Sequence, residues 1–74
     1  MSKGQVDIGI AASLLRFMRK YRRKAPAIRI SPDILDLFYT KEEQLNTKRF
    51  SYMGTLIVVD DKMKPGTVEA IWLH

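Results

Sequence analysis

The stretch DIGIAASLLRFMRKYRRK, Asp7 to Lys24, decides how the rest of the chain is read. Its apolar residues Ile10, Leu14, Phe17, Met18 and Tyr21 recur at i, i+4, i+7, i+8 and i+11, which is the period of one helical stripe. Asp7 suits an N-cap at the positive end of the helix dipole, and the cations gather in the last turns, where the dipole is negative. Ala25-Pro26 stops the helix, because proline has no N–H for the ladder and forces its predecessor out of the α region. The pattern predicts a long first helix that lays Leu14, Phe17 and Tyr21 on a sheet and turns its cations to solvent.

Beyond the helix, Ala27 to Ile30 reads as a short strand with Arg29 pointing away from Ile28 and Ile30. Ser31-Pro32-Asp33 is a helix start, with a hydroxyl at the N-cap, proline at the first helical position and a carboxylate in the first turn. The second helix presents Ile34, Leu37 and Phe38, with Leu35 beside them, and ends near Thr40. Lys41 to Lys48 reads as a loop or ragged helical turn. Arg49 to Met53 is a strand broken by Gly54, and Thr55 to Asp60 is a strand rich in β-branched residues. Asp60 to Gly66 is a turn closed by Pro65-Gly66, and Thr67 to Leu73 returns as a strand. These elements predict a single α+β domain over residues 1–74, with a long basic N-terminal helix and a second short helix packed on a small, mainly antiparallel sheet. Its last three strands should form an antiparallel meander.

At 74 residues the chain has room for one core, and a fold of this size buries only about 60% of the surface its unfolded chain exposes. A second copy or a bound partner would add stability. The hydrophobic share of 46% with 28% charged residues is that of a folded domain. Absence of cysteine excludes disulfides, thiolate zinc sites and cysteine nucleophiles and points to a reducing, cytoplasmic setting. The apolar run Ile8 to Leu15 precedes its cations, the wrong order for a signal peptide, and no run approaches the length of a membrane span.

Charge is segregated along the chain. Residues 1–30 hold eight cations against Asp7 alone, a net +7, and residues 31–74 hold five cations against seven acids, a net −2. Arg16, Arg19, Lys20 and Arg23 share a helix face opposite Phe17 and Tyr21, and such a face could track phosphates. The same placement stabilises a helix C-terminus whatever it binds. The nucleic-acid-binding set expected is Arg16, Arg19, Lys20, Arg22, Arg23 and Lys24, extended by Arg29 and Arg49, with an acidic protein surface as the other anionic partner. Phe50, Tyr52 and Trp72 are the rings that alternation could offer for base stacking. A helix-turn-helix is disfavoured, because a strand separates the two helices.

Catalysis finds no constellation. His74 is the sole histidine and the final residue, so Ser2, Ser13, Ser31 and Ser51 have no internal histidine partner. Asp60-Asp61 with Glu69 lacks the ligand spacing of a calcium loop, and the glycines form no phosphate cradle, so neither metal nor cofactor is expected. A protein-interaction module is the alternative reading: the last two strands look apolar on both faces, and Ile57, Val59, Ile71 and Leu73 would pair with a second copy or a host protein.

The stretch Tyr52-Met53-Gly54-Thr55-Leu56-Ile57-Val58-Val59-Asp60-Asp61-Lys62-Met63-Lys64-Pro65-Gly66-Thr67-Val68 resembles the hairpin near the end of the peripheral domain in tailed-phage major capsid proteins. There, too, a glycine leads into a β-branched strand, an acidic step, a Met-containing turn, a glycine and a returning strand. The resemblance covers about a quarter of the chain and rests on residues that tight hairpins favour. It implies a small phage or prophage accessory protein acting by binding, and it transfers no functional residue.

Overall fold

Three helices and four strands follow one another as α1 (Lys3–Tyr21), β1 (Ala27–Ile30), α2 (Pro32–Phe38), α3 (Lys41–Asn46), β2 (Phe50–Tyr52), β3 (Thr55–Val59) and β4 (Val68–Ile71) in a computed structural model that describes residues 2–73. The architecture is α+β, as expected. Among the described residues no helix is long and apolar enough to cross a membrane.

Helix α1 begins earlier than Asp7. Ser2 is its N-cap, with its Oγ accepting from the Gln5 N–H at 3.3 Å while Gln5 Oε1 accepts from the Ser2 N–H at 3.1 Å. This reciprocal capping box satisfies orphan donors that Asp7 would have met one turn later. Asp7 instead accepts a 2.5 Å hydrogen bond from Tyr52 Oη, tying the helix to β2. The helix also ends before Pro26. Arg22 takes a left-handed conformation (φ 57°) and donates its N–H to Met18 O at 2.8 Å, so Arg22 to Lys24 lie beyond the last helical residue.

The buried stripe is Val6, Ile10, Ser13 and Phe17, with Leu14 packed beside it. Met18, expected within the stripe, is 46% exposed. Ile34 and Leu35 of α2 join Val6 and Ile10 on Ile28, Ile30 and Ile57 to form the core, and each fully buried aliphatic side chain contributes about 1.5–3 kcal/mol over leaving it exposed. Leu35 occupies the place expected for Leu37, which is exposed. Residues 41–46 form a complete short helix in place of the expected loop or ragged helical turn, because Thr40 and Glu43 make a second capping box: Glu43 N–H to Thr40 Oγ1 at 3.1 Å and Thr40 N–H to Glu43 Oε1 at 2.9 Å. This helix buries none of its residues, and Leu45 is 88% exposed.

The sheet order is β2-β3-β1-β4, which corrects the expected C-terminal meander. Strands β2 and β3 do form a hairpin, with Tyr52 opposite Thr55. Met53 (φ 49°) and Gly54 (φ 81°) make its two-residue turn with both central φ values positive, the condition of a type I′ turn. Strands β3 and β4 do not pair. β1 lies between them, parallel to β3 (Ile28 opposite Ile57) and antiparallel to β4 (Ile28 opposite Ala70). The hairpin implied by the capsid resemblance is therefore not formed.

Ser31 explains how the loop from β3 to β4 is held across the end of β1. It is fully buried and makes no capping bond to α2; its Oγ accepts from the Gly66 N–H at 3.0 Å, and its own N–H donates to Thr67 O at 3.2 Å. The Asp60 N–H donates to Ile30 O at 2.9 Å on the other side.

Alternation and register place Ile28, Ile30, Ile57 and Val68 on the face that carries the core, and Arg29, Leu56, Val58, Glu69 and Ile71 on the other. The quartet expected as an interface is thereby dispersed. Ile57 is a core residue, 5% exposed, on the helix face; Ile71 lies on the opposite face, and β1 separates the two strands. Val59 and Leu73 are exposed.

Candidate nucleic-acid interface

The end of α1 and the start of β1 meet the end of β4, because β1 and β4 are antiparallel and Ala27 lies opposite Ile71. Trp72, one residue beyond β4, therefore arrives beside the last turn of α1. Its ring centroid lies 4.8 Å from Phe17 and 5.0 Å from Tyr21, and Phe17 and Tyr21 are 4.6 Å apart. Phe17 is buried and anchors the group, whereas Tyr21 and Trp72 are 40% and 38% exposed. Lys20 Nζ sits 5.2 Å from the Tyr21 ring centroid, within cation–π range.

Two adjoining clefts open between α1 and β4, each about 360 Å³. One is lined by Ser13, Arg16, Phe17, Lys20, Tyr21 and Val68 to Ala70; the other by Phe17, Tyr21, Arg29, Ile71 and Trp72, with Glu69 and Ala70. Arg16 and Lys20 thus stand beside Phe17 and Tyr21, not opposite them as the helical period suggested. Arg19 is exposed on the helix, and Arg22, Arg23 and Lys24 are exposed in the link to β1. Among the described residues none of these six cations has an acidic group within 4.0 Å.

Arg49 does not extend this patch, and Arg29, although it borders the second cleft, is already paired with acids. Arg29 lies on the sheet face away from the helices, with Nη2 2.7 Å from Glu69 Oε2 and Nη1 3.5 Å from Asp60 Oδ2. The Glu69 hydrogen bond and charge, with Asp60 adding to them, raise its pKa and hold it as a cation. Arg49 precedes β2, whose first residue, Phe50, lies opposite Ile57 at the middle of β3, on the edge of the sheet away from β4. Asp60 and Glu69 therefore meet a guanidinium, and among the described residues no cluster of three metal-ligating side chains occurs.

Of the three rings expected to stack on bases, only Trp72 is presented. Phe50 packs on Tyr39 at 4.9 Å and Tyr52 on Phe38 at 5.2 Å, both against the core. Tyr39 Oη also accepts from the Ser51 N–H (3.2 Å) and donates to Ser51 O (3.1 Å), covering part of the β2 edge. Tyr21, expected to lie on the sheet with Leu14 and Phe17, is the last residue of α1 and is partly exposed. His74 falls outside the described residues. No protein-family model, curated protein or solved structure matches the chain.

Proposed function

We propose that the chain is a non-enzymatic nucleic-acid-binding module that holds a phosphate backbone with Arg16, Arg19, Lys20, Arg22, Arg23 and Lys24 and stacks a base on Tyr21 and Trp72. The observation that carries this reading is the juxtaposition of six cations, with no acidic partner among the described residues, and two half-exposed rings at the mouth of a cleft. Cations alone give affinity for any polyanion; rings beside them favour single strands, whose unstacked bases present π faces. Readout of sequence is not expected, since no side chain amide lines the cleft to pair with base edges.

Trp72 is the only tryptophan, so its fluorescence reports the site directly. Titration with an unstructured single-stranded oligonucleotide at low salt is expected to quench it, and a duplex should bind with less quenching. Engagement of four to six phosphates gives a slope of about −3 to −4 for log K against log salt on a single strand. Absence of binding to any DNA or RNA at low salt overturns the reading.

A further inference from the structure

Helix α1 has a second apolar stripe that the fold leaves bare. Ile8, Ala11, Leu15 and Met18 follow one another at three- and four-residue spacing, about 150° around the helix from the buried stripe by the helical repeat. Ile8 is 72% exposed, Leu15 47% and Met18 46%. Single exposed aliphatics are ordinary on a protein surface, but a row of them at helical period is an unpartnered packing face. Alongside it runs a groove of about 360 Å³ whose apolar wall is Ala11, Leu14, Leu15, Met18, Tyr52 and Met53. Met53, at the tip of the β2–β3 turn, is 82% exposed there.

We infer that this face pairs with the same face of a second copy, the two α1 helices running antiparallel about a two-fold axis between Ala11 and Ala12. Three features select this occupant. Positions equidistant from the axis are complementary: Ile8 meets the partner's Leu15, and the small residues Ala11 and Ala12 lie where the helices cross. The partner's Ile8 reaches the groove between Leu15 and Met18.

Charge selects the direction. Lys20 lies about 13 Å along the helix from the axis, so the two cation clusters stand about 25 Å apart, well beyond the Debye length of about 8 Å at physiological salt. A parallel pair would place them side by side. An acidic amphipathic peptide is less well matched, because the stripe has no cation between Ile8 and Leu15 and offers charge only at one end.

The Tyr21–Trp72 cleft lies on another side of α1, so the dimer leaves it open at both ends of the assembly. An interface made chiefly by one helix falls at the small end of specific interfaces, at or below about 1,200 Å², and the association should be micromolar or weaker.

The absence of cysteine makes the geometry testable by single-cysteine variants. Sedimentation without nucleic acid, from about 1 μM to 1 mM, is expected to show a monomer–dimer equilibrium. Mild oxidation of an equimolar mixture of Ile8→Cys and Leu15→Cys is expected to give the mixed disulfide in preference to either homodimer. Leu15→Glu should raise the dimer dissociation constant more than about tenfold with helical circular dichroism unchanged, because it places two charges in an apolar contact. Ile8→Glu, at a still more exposed site, gives the same reading should Leu15→Glu lose helicity. A monomer throughout, a preference for homodisulfides, or dimers indifferent to both glutamates overturns the inference. Oligonucleotide binding by Leu15→Glu reads the proposed function separately.

Discussion

The cations of α1 and the acids of the remainder of the molecule are used in different ways. Asp60 and Glu69 hold Arg29, Asp36 accepts from Lys41 at 3.0 Å and from Gln44 at 2.8 Å, and Glu43 closes the cap of α3. In α1 the one acid, Asp7, is likewise engaged by Tyr52. The arginines and lysines at the end of α1 have no such partners among the described residues. The difference is one of geometry. A sheet sets cross-strand neighbours directly opposite one another, as Arg29 and Glu69 are, whereas the last turn of a helix projects its side chains into solvent. The proposed phosphate contacts fall where the fold leaves charge unanswered, a distinction that a count of cations, Arg29 included, does not make.

The largest effect expected is in the apolar anchor that holds α1 in place. Ile10→Ala should cost about 2–5 kcal/mol in urea denaturation, since Ile10 is fully buried. Ile8→Ala on the outer face should stay within about 0.5 kcal/mol at low micromolar concentration. Equal losses would show that the helix is not divided as described.

Next comes the contrast itself. Changing Arg19, Lys20, Arg22 and Arg23 together to glutamine should weaken single-strand binding about 100-fold at low salt, measured by anisotropy, and flatten its salt dependence. Arg29→Gln should leave affinity within about twofold and lower the melting temperature slightly, with that shift shrinking as salt rises. If Arg29→Gln weakens binding as much as the quadruple change, the distinction between free and engaged cations fails.

A smaller effect is expected at Tyr52. Its hydrogen bond to Asp7, then burial and the Asp7 charge, raise the phenol pKa. Because the folded pKa lies above the unfolded one, this stabilisation is complete below the ordinary tyrosine range and is lost as pH rises through the folded value. Tyr52→Phe should cost about 1 kcal/mol near neutrality and remove that alkaline dependence; an unchanged alkaline transition would break the assignment.

The smallest is at Glu43. Hydrogen bonds from Thr40, the backbone N–H first, hold its carboxyl below the usual glutamate range. With the folded pKa depressed, the stabilisation is present above the ordinary value and is lost as pH falls through the folded one. Glu43→Gln, which can still accept the capping bond, should flatten this acid dependence in thermal melts while α3 persists.

Much of the fold was legible because its signals are local. The stripe Ile10, Leu14 and Phe17, the Ile28–Arg29–Ile30 alternation, Pro32 at the start of α2 and the β-branched run after Gly54 each identify an element without reference to the others. Misreadings at element ends have local causes too: Ser2 and Gln5 form a capping box that competes with Asp7, and Arg22 adopts a left-handed cap for which no glycine gives notice. The candidate site was half legible. The cations and Trp72 could be named, but the exposure of Tyr21 and its meeting with Trp72 depend on residues 51 positions apart coming together.

The sequence by itself determined that α1 is amphipathic, that its cations gather at one end, and that the chain supplies four short strands. Tertiary structure alone decided which strands are neighbours. Residues 60–67 suit a turn whether β3 and β4 pair directly or reach across β1, because turn chemistry constrains backbone angles and not the partner on the far side. The choice rests on non-local contacts: Ile28 between Ile57 and Ala70, and the buried Ser31 hydroxyl accepting from the Gly66 N–H. Inserting β1 gives Ile28 and Ile30 a neighbour on each side and brings Trp72 to the end of α1, where the free cations are.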